Sequence, residues 1–240
     1  MKTTTNNSQK IKKITLIGVF IALAYAVSAV LPIKVSFLTL DFKDVISTIC
    51  GLFFGPLAGL VCAATVPFIE LITTSTTGFY GLVMNWISSF TFVGIASVIY
   101  KYKKTISGAV LGLATASVAT MGVMTLANIF ITPFYLEIAM GMSLSVAQDT
   151  VKTLLPTTII PFNIVKSILN ASLSMLIYKP FSQVLKSMGI SKSMKKEEHT
   201  EKAQSTANTK TRSIIVTIVS AAIVIVAFVI VFVVLGGKLA

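Results

Sequence analysis

Asn163, Lys166 and Asn170 stand at i, i+3 and i+7, so a helix carrying them shows all three on one face. Asn85 and Asn128 stand near the ends of two other apolar segments. Amides and a lone ammonium do recognition chemistry: they hold a small molecule by hydrogen bonds. A lysine inside an apolar segment is costly unless a carboxylate, a carbonyl or a ligand oxygen meets it. Helix–helix hydrogen bonding and a snorkelling lysine explain such residues singly. As a group, at one level, they favour a ligand site. Phe37, Phe79, Tyr80, Trp86, Phe134 and Tyr135 surround that level. Flat faces with a few fixed polar groups suit a planar, partly polar small molecule. Phe79 and Trp86 read better as an interfacial belt. Asp41 and Asp44 read as helix N-caps, and Asp41 is also a partner for Lys166.

Other chemistry is excluded. His199 is the single histidine and lies in a charged stretch; the two cysteines, Cys50 and Cys62, lie in apolar ones. This gives no zinc pattern, no disulfide framework, no metal site and no Ser/His/Asp set. A phosphate-binding G-x-x-x-x-G-K-[ST] loop and an H-E-x-x-H motif are both missing from the sequence. The chain reads as a binding protein, not an enzyme, and needs no cofactor.

A second pattern is steric. Gly18, Ala22, Ala26 and Ala29 fall at i, i+4, i+8 and i+11, a stripe of small residues along one helix face. Such stripes let another helix approach closely in lipid. Gly51, Gly55 and Gly59 form a second stripe, better suited to packing within a helical hairpin.

The elements that must position these residues are membrane helices. The chain has 240 residues, 55% hydrophobic and 12% charged. Soluble domains carry about 25% charged residues. The first apolar run is Ile14–Ile33, longer than a signal-peptide core. Residues 34–44 read as an external loop. Gly55-Pro56 splits the next run into helices of about 44–54 and 57–74, the first too short to span and expected to pack inside the protein. A polar turn, Thr73–Gly78, leads to a fourth helix over 82–100. The fifth covers 106–131 and stops at Pro133; 134–156 reads as a long loop with room for a helical part; the sixth starts near Pro161 and ends near Lys179-Pro180. Residues 182–212 read as a polar cytoplasmic linker, and Ser213–Leu235 as a further span, an anchor or a helper.

The net charge of +12 suggests nucleic acid only in a soluble protein. Here fifteen of the twenty basic residues fall in the N-terminus, the loop at 101–105 and the segment 179–212. That asymmetry puts those segments in the cytoplasm. The expectation is an all-α, multi-pass plasma-membrane protein: a six-helix body over 1–181, a linker over 182–212, and an extra transmembrane helix with a short tail over 213–240.

Taken together, these features resemble the S components of energy-coupling factor (ECF) vitamin transporters. Phe37–Asp44 (FLTLDFKD), Gly51–Gly59 (GLFFGPLAG), Asn128–Tyr135 (NIFITPFY) and Pro161–Lys166 (PFNIVK) look like the riboflavin-specific branch. Glu70 and Val45 depart from its pattern, where a basic or neutral residue and a proline are expected. The resemblance covers about residues 10–181. It implies a subunit that binds riboflavin or a related flavin from outside as cargo. It also implies docking on a transmembrane coupling subunit driven by two separate ATPases. By similarity the ligand contacts are Asn85, Asn128, Asn163 and Lys166, with Leu38, Leu40, Asp41, Pro133 and Tyr135 around them. Gly18, Ala22, Ala26 and Ala29 become the docking face. The alternatives are an S component for thiamine, pantothenate or a queuosine precursor, and a non-transporting membrane scaffold.

Overall fold

The computed structural model describes residues 2–187 and 206–239. Among these, six helical stretches are long and apolar enough to cross a membrane. The elements run α1 (Lys2–Val30), β1 (Ile33–Val35), β2 (Leu38–Leu40), α2 (Lys43–Phe54), α3 (Pro56–Thr73), α4 (Gly78–Tyr102), α5 (Ile106–Met140) and α6 (Leu144–Leu154). A π-helical turn, Leu155–Ile159, joins α6 to α7 (Ile160–Ser187). The last elements are α8 (Thr206–Val229), a second π turn over Ile230–Val234, and β3 (Lys238–Leu239).

Helix α2 has 12 residues, about 18 Å at 1.5 Å each, which cannot cross a core of about 30 Å. It is instead enclosed: every residue from Lys43 to Leu52 is buried, as the sequence suggested. Gly55 makes the turn into α3 with φ +98°, a conformation natural to glycine. The antiparallel return then brings Gly51 and Gly59 together. A Cβ at Gly59 would stand 2.7 Å from the Gly51 Cα. The hairpin is locked by two backbones in contact.

Four expectations are corrected. Residues 33–40 are an antiparallel hairpin pairing Ile33 with Leu40 and Val35 with Leu38, where a loop was expected. Helix α5 continues through Pro133 to Met140, with Pro133 itself buried; helices in membranes tolerate such a proline more readily than soluble ones. The sixth span begins at Leu144, not Pro161: the wide turn after Leu154 takes in Pro156, with the Ile160 N–H bonded to the Leu155 carbonyl, and the helix resumes. The expected linker is shorter at both ends, because residues 182–187 continue α7 and 206–212 begin α8; residues 188–205 lie outside the described ones. Helix α1 also starts earlier and α4 begins at Gly78.

The final helix is not a detached anchor. Ala227 and Val231 are buried in one cluster with Ile33, Val35, Leu40, Phe42, Val45, Phe162, Val165 and Leu169. Strand β3 then pairs antiparallel with β1, Ile33 opposite Leu239, so the three strands lie in the order β2-β1-β3. Residues 238–239 thus lie at the hairpin's end of the bundle.

Candidate ligand-binding site

A cavity of about 110 Å³ opens between the β hairpin and the adjoining parts of α4, α5 and α7. Leu38, Asn85, Asn128, Tyr135, Asn163 and Lys166 line it, so six of the nine expected contacts meet. Helix α5 supplies Met124, Asn128, Ile131, Thr132 and Tyr135, spaced as one helical face. Pro133 lies one step off that face and is packed within the helix bundle. Leu40 is 1% exposed and sealed in the core beneath the hairpin. Asp41 stands behind Lys166 rather than in the cavity wall.

The amides are held in place from within their own helices. Asn128 Nδ2 donates to the Met124 carbonyl at 2.7 Å, and its Oδ1 accepts from Thr132 Oγ1 at 2.9 Å. Asn163 Nδ2 donates to the Ile159 carbonyl at 2.9 Å, the last residue of the π turn. A side-chain amide has two N–H donors and two acceptor lone pairs. Each asparagine therefore keeps hydrogen-bonding capacity for a ligand.

Lys166 is 8% exposed. Its Nζ donates to the Thr39 carbonyl at 3.3 Å and to Asp41 Oδ2 at 3.2 Å, leaving a third donor. The same Asp41 oxygen accepts from Lys43 Nζ at 3.1 Å. Lys43 also pairs with Glu70 Oε2 at 2.7 Å, and Glu70 Oε1 accepts from Ser28 Oγ at 2.6 Å. A buried chain of charges thus runs from α7 through the β2–α2 junction, α2 and α3 to α1. Burial alone would raise the Asp41 pKa, but the Lys166 and Lys43 ammonium groups outweigh it and hold the carboxyl below its ordinary range.

Neither aspartate is a helix cap. The residue before α2 is Phe42, without a side-chain cap bond. Asp41 is taken by the two lysines. Asp44 accepts from Ser89 Oγ and, at 3.5 Å, from Asn170 Nδ2. Asn170 therefore supports α2 and does not line the cavity.

The apolar walls include Phe37, Tyr80, Met84, Met124 and Phe162 besides Leu38 and Tyr135. Tyr80 and Tyr135 face each other with ring centroids 6.1 Å apart. Thr39, Thr77, Ser88 and Thr132 add hydroxyls that the sequence reading missed. Thr77, Met84 and Ser88 lie on the helical face of Asn85, so that face carried the signal. Of the two belt residues, Phe79 is exposed, while Trp86 Nε1 donates to the Ala64 carbonyl. Among the described residues no group of three His, Cys, Asp or Glu side chains could hold a metal ion. Aromatic and thioether walls with amides and one ammonium between them suit a flat, partly polar molecule.

Gly18, Ala22, Ala26 and Ala29 are all exposed on α1, opposite the buried Phe20 and Ala24. The small-residue stripe therefore faces away from the protein's own core.

The sequence model of the family described as "ECF transporter, substrate-specific component" matches residues 12–178. The chain is 29% identical to a riboflavin transporter, RibU, of Staphylococcus aureus (strain TCH60), over 75% of this chain and 95% of that one. It is 27% identical to a riboflavin transporter, FmnP, of Bacillus subtilis (strain 168), over 70% and 91%. A solved structure reported as "Structure and mechanism of the S component of a bacterial ECF transporter" superposes with a TM-score of 0.58 at 26% identity, covering 74% of this chain and 99% of the other. The helical fold and the match across the body agree, and the chain belongs to the family of substrate-specific components of ECF transporters, multi-pass membrane proteins of transport.

Proposed function

We propose that the protein is the riboflavin-binding subunit of an ECF-type importer. The observation that carries this reading is the convergence of Asn85, Asn128, Asn163 and Lys166 on one aromatic-walled cavity. A flavin has a flat tricyclic body with oxygens and nitrogens along one edge, and the cavity offers complementary donors. The names of the two relatives support the same ligand. Flavin is cargo here, taken from outside. The N-terminus is cytoplasmic by the distribution of lysines. Through the exposed small residues of α1 the protein docks on a transmembrane coupling subunit, which two ATPases drive.

The test is the visible absorption spectrum of the protein purified in detergent, followed by quenching of added riboflavin fluorescence. A stoichiometric flavin spectrum, or saturable quenching, is expected. Colourless protein without quenching overturns the assignment. Lys166→Ala combined with Asn128→Ala removes a charge-assisted and a neutral hydrogen bond, about 2–4 kcal/mol together. Affinity should fall by about thirtyfold to a thousandfold. Retained affinity would place the ligand elsewhere.

A further inference from the structure

We infer that the C-terminal segment after α8 is a positioning element of the ligand site, a strap built from this chain's own backbone. It rests on the reading of the cavity as a flavin site. Residues beyond 178 lie outside the family match, so the strap is added to a body that the family shares.

Five observations carry it. Strand β3 adds to the free edge of β1, with Lys34 opposite Lys238 and Ile33 opposite Leu239. β1 in turn pairs with β2, whose Leu38 and Thr39 line the cavity and whose Thr39 carbonyl accepts from Lys166. The segment's approach is close enough to require glycine: a Cβ at Gly237 would stand 2.8 Å from Val231 Cγ1 and 3.2 Å from Ile33 Cγ2. The turn before it uses Gly236 at φ +64° and a Gly237 N–H bond to the Val231 carbonyl at 2.9 Å. The helix leading in is fixed as well, with Val231 fully buried under the hairpin and Phe228 6.0 Å from Phe42.

A two-stranded hairpin alone is marginally stable. With one edge covered by β3 and its apolar face packed on α7 and α8, the hairpin opens less often. The hairpin supplies one wall of the cavity through Phe37, Leu38 and Thr39, so a strap that steadies it acts on dissociation. Its pairing uses backbone groups, which makes it indifferent to side-chain identity at 238 and 239.

The experiment compares the full chain with two variants, Gly237→Val and a chain ended after Val234 that keeps α8. Two readouts are taken: riboflavin dissociation followed by fluorescence, and hydrogen exchange of residues 33–40 without ligand. In both variants dissociation should quicken roughly tenfold, exchange over 33–35 should rise, and association should change little. Leu239→Val, which keeps the backbone pairing, should match the full chain. Unchanged dissociation and exchange in a folded variant overturn the strap. A full chain that binds no riboflavin overturns the flavin reading instead, and exchange then decides the strap by itself: a rise in the variants supports it, no change overturns it.

Discussion

Asp41 serves two ammonium groups through one oxygen, Oδ2, while its Oδ1 is buried with no hydrogen-bond partner among the described residues. Replacing it by asparagine keeps the volume and removes the charge that balances Lys166. Breaking a buried pair in this way costs about 3–5 kcal/mol. Asp41→Asn should lower the thermal unfolding midpoint in detergent and weaken flavin binding, because Lys166 loses its tether. The pH dependence has a definite sign. The folded pKa lies below the ordinary 3.8, so the contribution is complete above that value and is lost as pH falls through the lower folded one. Followed against pH, the difference in unfolding midpoint between wild type and Asp41→Asn should shrink as pH falls below 3.8, where the Asp41 contribution is lost. At this scale the sequence was informative where a polar residue interrupts apolar surroundings. Asn85, Asn128, Asn163 and Lys166 stood out for that reason. Met84 and Met124 did not, since a methionine in a chain 55% hydrophobic carries no contrast.

Helix boundaries were legible where charge or Gly-Pro marked them and illegible where proline alone did. Gly55-Pro56 ends α2 because the glycine adopts a left-handed φ; Pro133 and Pro180 sit inside helices that continue past them. Proline removes one donor, and enclosure by neighbouring helices decides whether the helix survives that loss. Helices α4 and α5 are apolar on nearly every side, so periodicity could not say which face turns inward. The glycine stripe was a surer guide, because close backbone approach tolerates few residues. Gly59→Val would place a Cβ against the Gly51 Cα at 2.7 Å and Val93 Cγ1 at 2.9 Å. Overpacking there should cost about 3 kcal/mol, read as a drop in unfolding midpoint. Gly18→Val offers the contrast. A Cβ at Gly18 meets nothing within 4 Å, so the fold should keep its midpoint.

At the scale of the molecule two surfaces have separate duties under the proposed function: the hairpin end holds ligand and the outer face of α1 meets the coupling subunit. Ala22 is exposed on that face. Ala22→Trp should leave riboflavin affinity within about twofold and abolish uptake into proteoliposomes holding the complete transporter. Lost affinity in that variant would mean the face is internal packing. The body's six-helix plan was legible from apolar run lengths, since these reflect the thickness of the bilayer directly. The docked position of α8 was not, because a uniform β-branched span gives no sign of what it packs against.

The buried chain from Lys166 to Glu70 has an electrical consequence in a protein that crosses a membrane. It holds two cations, Lys43 and Lys166, and two anions, Asp41 and Glu70. A lone charge carried through the whole field gains or loses about 2.3 kcal/mol per 100 mV. The two cations offset the two anions, so these four side chains together change depth in the field with far less electrical work than a lone charge would.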